Sequence, residues 1–452
     1  MTPPGSPAGG GSRSGADSPD TNAGRTGTNG DAPLDTRSLY RKITLIGFGF
    51  LGVQLAFTTY NAFLPLLYEE FLTSRALIGA LMGTDNLVGL LLIPVIGAWS
   101  DRTTGRWGRR LPFVLVALPA AALTFAGIPW AAAALWTLIA ADILFTAAIH
   151  AYRGPVISLM PDHTPPERRS TANGVINLMG GVGTIIALGG LSWAYDVDPR
   201  LAFGIGAVLM VATLPLVLRG ADTRPPYIEH TSHSPRPFAD TYEGIRNLFR
   251  APQRGQRQIL LAMACYFIGY AGLDAMFPLY GVNVLGLTGG EAARIITLFP
   301  VVFILTAVPA GMLGTRFGKV RAMQAGLVVL PVVFLIAPWI TQPWIIAALF
   351  GVGGLGWALI NVQAMPLVAD LGGRSAIGFA VGLYYLFTMA GQMIGPSVLG
   401  TSMDLLGDRG LFYAGAAAFV VALALLTRGW KALPADPVEL ARRADAAALQ
   451  RD

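Results

Sequence analysis

The chain has 452 residues, of which 53% are hydrophobic and 13% charged, with a formal net charge of +6 and a mean hydropathy of +0.55. That balance excludes an ordinary soluble domain and points to a protein folded in lipid. The basic residues do not form one patch interleaved with aromatics, so nothing argues for a nucleic-acid partner. The single Cys265 leaves neither a disulfide framework nor a cysteine metal site.

Residues 1–38 are rich in Gly, Ser, Pro, Thr and Asp and lack the basic start and apolar core of a cleaved signal, so a disordered cytoplasmic tail is expected. Apolar runs then recur, each long enough to cross about 30 Å of hydrocarbon. Spans are expected at 43–67, 76–98, 112–129, 133–158, 171–193 and 201–218, then at 258–281, 292–314, 322–340, 344–368, 377–400 and 410–428. The expected fold is an all-α membrane protein of twelve transmembrane helices, with six-helix bundles at 39–218 and 258–430 and a C-tail at 431–452. The linker 219–257 begins with prolines and continues as Phe238–Arg250, whose spacing suits an interfacial helix or a plain loop helix. With both termini inside, 27 Lys or Arg lie on the inner side against 4 outside, Arg75, Arg200, Arg294 and Arg409. The bias places both termini in the cytoplasm of a cell membrane.

Two loop motifs repeat half a chain apart. Gly97 with Asp101 and Arg102 precedes span 3, and Gly311 with Thr315 and Arg316 precedes span 9; Leu159-Met160-Pro161-Asp162 with Arg168 is echoed by Leu367-Val368-Ala369-Asp370 with Arg374. A parallel repeat of six helices is the plan of rocking two-half transporters. The run Asp101-Arg102-x-x-Gly105-Arg106-Trp107-Gly108-Arg109-Arg110-x-Pro112-Phe113 resembles the loop between helices 2 and 3 of the glycoside-pentoside-hexuronide:cation symporters, members with the sucrose and proton-associated sugar transporters of the major facilitator superfamily. Arg153-Gly154-Pro155 through Asp162 to Asn173-Gly174 looks like the helix 4 to helix 5 connection of the same group. The resemblance implies the fold over residues 40–430 and solute transport. It departs at Val88–Pro94, where sodium-coupled members carry acids and this chain has none, so proton coupling is expected instead.

Ionisable groups at depth are costly and need partners or a wet cavity. Three carboxylates qualify as coupling sites: Asp142 first, Asp274 second, and Asp85. Asp142 and Arg153 share a face of span 4 about 16 Å apart, too far for a direct pair. The same spacing in the sucrose transporters is associated with proton coupling and substrate binding; the alternative for Arg153 is snorkelling. His150, one turn away, reads as a proton relay or as hydrogen-bonded packing. Tyr266, Tyr270 and Asp274 form a stripe suited to a sugar's C–H faces and hydroxyls. Gln54, Thr58 and Asn61 on span 1, Trp357 and Asn361 on span 10, and Tyr384, Thr388 and Gln392 on span 11 form further polar stripes, as ligand contacts or as glue between helices. Asp101, Arg102, Arg106, Arg109, Arg110, Asp162, Arg168, Arg316, Asp370 and Arg374 form a candidate cytoplasmic gate, or serve only as topology charge. With Thr315 standing where the first half has Asp101, the gate is expected to be asymmetric.

The expected activity is proton-coupled symport of a sugar or glycoside by a monomer, with no cofactor and no metal. An exporter of drugs or metabolites on the same scaffold is the alternative. A membrane-embedded enzyme is disfavoured because the four histidines form no His-Glu-x-x-His pattern and no nucleophile is set up; a non-transporting sensor would bind without flux.

Overall fold

The computed structural model describes residues 36–103, 105–227 and 254–433, with side chains except at 36, 167, 170, 254, 372–379 and 381. Most of both tails and the expected interfacial helix at 238–250 lie outside the described residues. The helices in order are α1 (Thr36–Glu69), α2 (Arg75–Arg102), α3 (Leu111–Ala131), α4 (Leu135–His163), α5 (Arg169–Ile185), α6 (Ser192–Val197), α7 (Pro199–Gly220), α8 (Arg254–Asn283), α9 (Gly289–Ile296), α10 (Leu298–Phe317), α11 (Lys319–Ile336), α12 (Pro343–Leu406) and α13 (Gly410–Ala432). A wide turn, Ile186–Leu191, joins α5 to α6 as one crossing, and α9 runs on into α10 as another. α1 starts at Thr36, seven residues before the expected span, because its first two turns carry Arg37, Arg41 and Lys42 ahead of the apolar run.

Local signals set the ends. The Ser74 side chain caps α2, accepting from the N–H of Leu77. Thr288 and Glu291 form a reciprocal capping box on α9. Gly318, at φ 95°, turns the chain between α10 and α11 in a conformation that L side chains avoid. Prolines inside α1, α2, α4, α8 and α10 do not end these helices, because neighbouring helices in a membrane bundle re-satisfy the freed groups.

Eleven helices among the described residues are long and apolar enough to cross a membrane. The twelfth crossing hides in α12, whose 64 residues make about 96 Å of helix, three membrane thicknesses. Its two parts flank α8 in opposite senses. Phe350 meets Phe277 and Trp357 meets Tyr270, numbers rising on one helix as they fall on the other. Gly391 abuts Ala264, Gly395 abuts Ile268, and Leu399 packs on Gly272, rising together. The chain therefore reverses within α12, where the short loop between spans 10 and 11 was expected.

α1 packs on α5 and α7, α3 on α4 and α7, and α2 on α4; in the second half α8 packs on α12 and α13, and α11 on α12 and α13. The halves meet through α2 against the later part of α12, and through α5 and α6 against α10 and α9. Each contact becomes the other when every crossing is exchanged for its counterpart six crossings on, the signature of a two-fold axis along the membrane normal.

Candidate functional site

At mid-depth α1 faces α4. Tyr60 Oη donates to Asp142 Oδ1 at 2.8 Å and Tyr68 Oη to Oδ2 at 2.6 Å, while Thr146 Oγ1 lies 3.2 Å from Oδ1. Two tyrosine hydroxyls therefore satisfy a carboxylate that is 1% exposed, while Thr146 Oγ1, with one proton to give, also bonds the Asp142 backbone oxygen. Asp85 on α2 is also buried, accepting from the side-chain amide of Asn86. Neither acid has a Lys or Arg within ion-pair distance among the described residues. Arg153 makes no pair with Asp142, as the spacing on α4 requires. Its guanidinium sits over the Phe57 ring at 5.3 Å, within electrostatic reach of Asp85 and of Tyr385 in the other half. His150 sets Nε2 3.0 Å from the backbone oxygen of Asp85.

Asp274 on α8 accepts from Asn61 Nδ2 at 3.1 Å, a hydrogen bond between the halves at mid-depth. Gln54, Thr58 and Asn61 are the half-exposed positions in a helix otherwise largely buried there, and Thr58 donates to Thr184 within the first half. Tyr270 and Trp357 stack face to face, 4.2 Å apart and 13° from parallel, with Tyr266, Phe267 and Phe299 around them. The rings expected to stack on a solute are here stacked on each other. Asn361 is half-exposed. Thr388 turns its hydroxyl to the backbone oxygen of Tyr385, and Gln392 reaches Thr388 O, so both serve their own helix. Tyr384 lies edge-on to Tyr385.

On the arginine-rich face the loop motif closes onto its own half. Asp162, which the structure places in the last turn of α4 rather than in a loop, accepts from Arg109 and Arg110; Asp101 pairs with Arg110 at 2.6 Å, and Arg110 also bonds Ser100. Arg106 lies over Trp107 and Arg316 over Phe317. Asp370 pairs with Lys319 of its own half, so the expected meeting of loop arginines with Asp370 is not made in this structure. Arg102 ends α2, and the side chain of Arg374 lies outside the described residues. The cluster is asymmetric: Thr315, in the place of Asp101, donates to Gly311 O of its own helix. Removing Asp162 leaves Arg109 and Arg110 with Asp101 as their remaining acid, Arg110 being 7% exposed. Asp162→Ala is expected to cost roughly 1–3 kcal/mol, read as a lowered unfolding temperature of the detergent-purified protein.

The halves are tied at the opposite face. Asp404 accepts from Ser74 Oγ and from the N–H groups of Arg75 and Ala76, capping α2 across the interface. Arg75 reaches Asp408 at 3.7 Å, Arg294 pairs with Asp196 at 2.9 Å, and Asn283 donates to Glu69. Gly79 and Gly83 let α2 lie on the α12 backbone at Pro396 and Met393. These ties between the halves lie at mid-depth or toward this face. Partial shielding pushes the Asp404 carboxyl up, but hydrogen bonds from Ala76, Ser74 and Arg75 outweigh it and hold it below the usual value. A group lowered in the closed state favours closure above its ordinary pKa of about 3.9 and loses that contribution as pH falls through the lowered value. Acidifying this face below about pH 4 is expected to widen a spin-label distance across it, and Asp404→Asn to widen it at neutral pH.

Sequence reasoning found the acids but missed the hydroxyls of Tyr60, Tyr68 and Thr146 that serve Asp142, and the ties around Asp404 and Asp196. A signal existed for the tyrosines: they lie eight residues apart on one helical stripe. Arg75 and Arg294 stood out as two of the four outer arginines.

Two repeats of six crossings, joined at one face around buried carboxylates, define a two-half solute transporter. The chain belongs to the Major Facilitator Superfamily, whose model matches residues 46–296 and 282–450; this places it among transporters of small solutes rather than enzymes. It is similar to Multidrug resistance protein 1 of Bacillus subtilis (strain 168), 24% identical over 399 residues, 86% of this chain and 95% of that protein. It also resembles Sucrose transport protein SUC3 of Arabidopsis thaliana, 27% identical over 158 residues, 30% of this chain and 26% of that protein. The crystal structure of a bacterial homolog to the human lysosomal transporter Spinster, in an inward-facing and occupied conformation, matches with a TM-score of 0.68 at 16% identity, over 89% of this chain and 98% of that one. At that identity the likeness concerns the fold alone.

Proposed function

We propose that the chain is a proton-coupled symporter of a sugar or glycoside, working as a monomer by alternating access, with the arginine-rich face and both termini in the cytoplasm. The observation that supports it is the Asp142 site. A buried carboxylate held by neutral hydroxyls alone keeps its partners in either charge state, because a hydroxyl donates to the anion and accepts from the acid. Asp85, Asp274 and His150 complete the candidate proton route, and Arg153 with the stripes on α1, α8 and α12 forms the candidate solute wall. On this orientation the ties around Asp404 and Asp196 close the outer side. The sequence likeness to a sucrose transporter supports the sugar reading.

The aromatic wall of Phe267, Tyr270, Phe299 and Trp357 favours a second reading, proton-coupled export of an apolar drug or metabolite, which the long match to a multidrug resistance protein also supports. Reconstituted vesicles with an imposed pH gradient separate the two. Symport gives uptake of radiolabelled saccharide in the direction of proton flow; export gives ethidium movement against it. Proton flux coupled to neither panel would sink both.

A further inference from the structure

The chain that joins the two halves leaves α7 at Gly220, and its first residues, 221–227, lie back against the arginine-rich face of the first half. Four contacts hold this strap. The N–H of Asp222 donates to His163 Nε2 at 2.7 Å, the Asp222 carboxylate pairs with Lys42 of α1 at 2.6 Å, and the N–H of Tyr227 donates to the Asp162 backbone oxygen at 3.1 Å. Gly108, at φ 72°, leaves room for the Thr223 carbonyl, which a Cβ there would overlap. Asp162 thus serves two structures at once, its carboxylate holding Arg109 and Arg110 and its backbone oxygen holding the strap.

The contact through His163 depends on the state of its ring. His163 ends α4 and is 2% exposed, with Nδ1 lying 2.8 Å from the Leu159 backbone oxygen. A backbone oxygen only accepts, so Nδ1 carries the proton of the neutral ring; a backbone N–H only donates, so Nε2 must keep its lone pair. Both nitrogens are assigned by their partners, and the docked strap fits the neutral imidazole alone. A second proton would set N–H against N–H in a buried contact and cost both groups their hydrogen bond. The charged groups facing the ring are Lys42 of α1, Asp222 of the strap and Asp162 of α4. Asp222 is engaged with Lys42, and Asp162 with two arginines, so each acid already carries a cation of its own.

We propose that His163 is a proton-operated latch: neutral, it holds the start of the linker between the halves on the first half; protonated, it lets that segment go. Release takes Thr223 off Gly108, the neighbour of Arg109, and Tyr227 off Asp162, so unlatching also loosens the charge cluster. Only the assignment of the latch to cytoplasmic acid rests on the transport reading above. The docked form excludes the proton and the released form takes it up at the ordinary histidine value of about 6.5, so docking weakens by up to about tenfold for each pH unit below that.

The test is hydrogen–deuterium exchange of the full chain in lipid nanodiscs, read by mass spectrometry from about pH 8 to about pH 5.5 and corrected for the intrinsic pH dependence of exchange. The Asp222 and Tyr227 amides are expected to be protected at the upper end and to lose up to about tenfold in protection per pH unit below about 6.5, while α7 stays protected throughout. Slow exchange at the ring carbon Cε1 of His163 follows its protonation in the same samples, and its midpoint is expected to coincide with strap release. His163→Gln keeps an acceptor that does not titrate, so its strap is expected to show no pH step. A strap unchanged across the range in the wild type, a release at a pH where the ring does not titrate, or a step that persists in His163→Gln overturns the proposal. If His163→Gln leaves the strap open at every pH, the two wild-type midpoints decide. No transport is read, so failure of the latch and failure of the symport reading are separate outcomes.

Discussion

Asp142→Asn is expected to reduce proton-driven accumulation to the level reached without a gradient, while exchange of labelled for unlabelled solute continues. A gradient of one pH unit stores about 1.4 kcal/mol per proton, which one-proton coupling converts into about tenfold accumulation. The asparagine is nearly isosteric and can accept from Tyr60 or Tyr68 through its oxygen, so the helix contacts survive while the proton site does not. Exchange needs only the rocking of the loaded protein. Counterflow in vesicles without a gradient, compared with accumulation under one, measures both. Full accumulation by the variant would remove Asp142 from the mechanism and leave Asp274 as the next acid to test.

The second large effect concerns closure of the face opposite the arginines. A Cβ on Gly83 would fall well inside 3.0 Å of the Met393 carbonyl oxygen, and its three nearest neighbours all belong to Met393 of α12 in the other half. Gly83→Val should therefore leave the first half folded and prevent this face from closing. Each 1.4 kcal/mol of bias moves the populations about tenfold, and a backbone overlap of this size exceeds that, so transport should fall about tenfold or more. Spin labels at Phe71 and Leu405, in a Cys265→Ala background, should move apart; a pair at Trp107 and Phe317 should approach. Gly97→Val is the control, since nothing lies within 4 Å of a Cβ there. Unchanged distances in Gly83→Val would mean that the glycine contact does not limit closure.

Much of this was legible in one dimension because hydrocarbon imposes a one-dimensional rule. Every crossing must be apolar over about 20 residues, so the runs are visible, and loop arginines mark one face because crossing costs them so much. Eleven crossings were expected nearly where they stand. The loop between the tenth and eleventh was not, since its backbone keeps helical hydrogen bonds through the reversal inside α12. Asp85, Asp142 and Asp274 were visible because an acid in an apolar run is rare.

Their partners were not visible, because which side chains meet depends on how each helix is rotated about its axis and which helix it faces. Tyr60 and Tyr68 of α1 reach Asp142 of α4 across 82 and 74 residues of chain, and Asn61, next to Tyr60, turns instead to Asp274 across 213. No periodicity on one helix encodes that choice. The same holds for charge. The sequence placed Asp101, Arg109, Arg110 and Asp162 on one face, but only the packing of α4 beside the loop from α2 to α3 decided that they pair within one half. By itself the sequence determined the membrane class, the twelve crossings, the two-fold repeat and the buried acids, all consequences of the cost of burying charge. Tertiary structure alone decided which hydroxyls hold Asp142 and that the halves are tied through Asp404 and Asp196, because these depend on contacts between helices far apart in the chain.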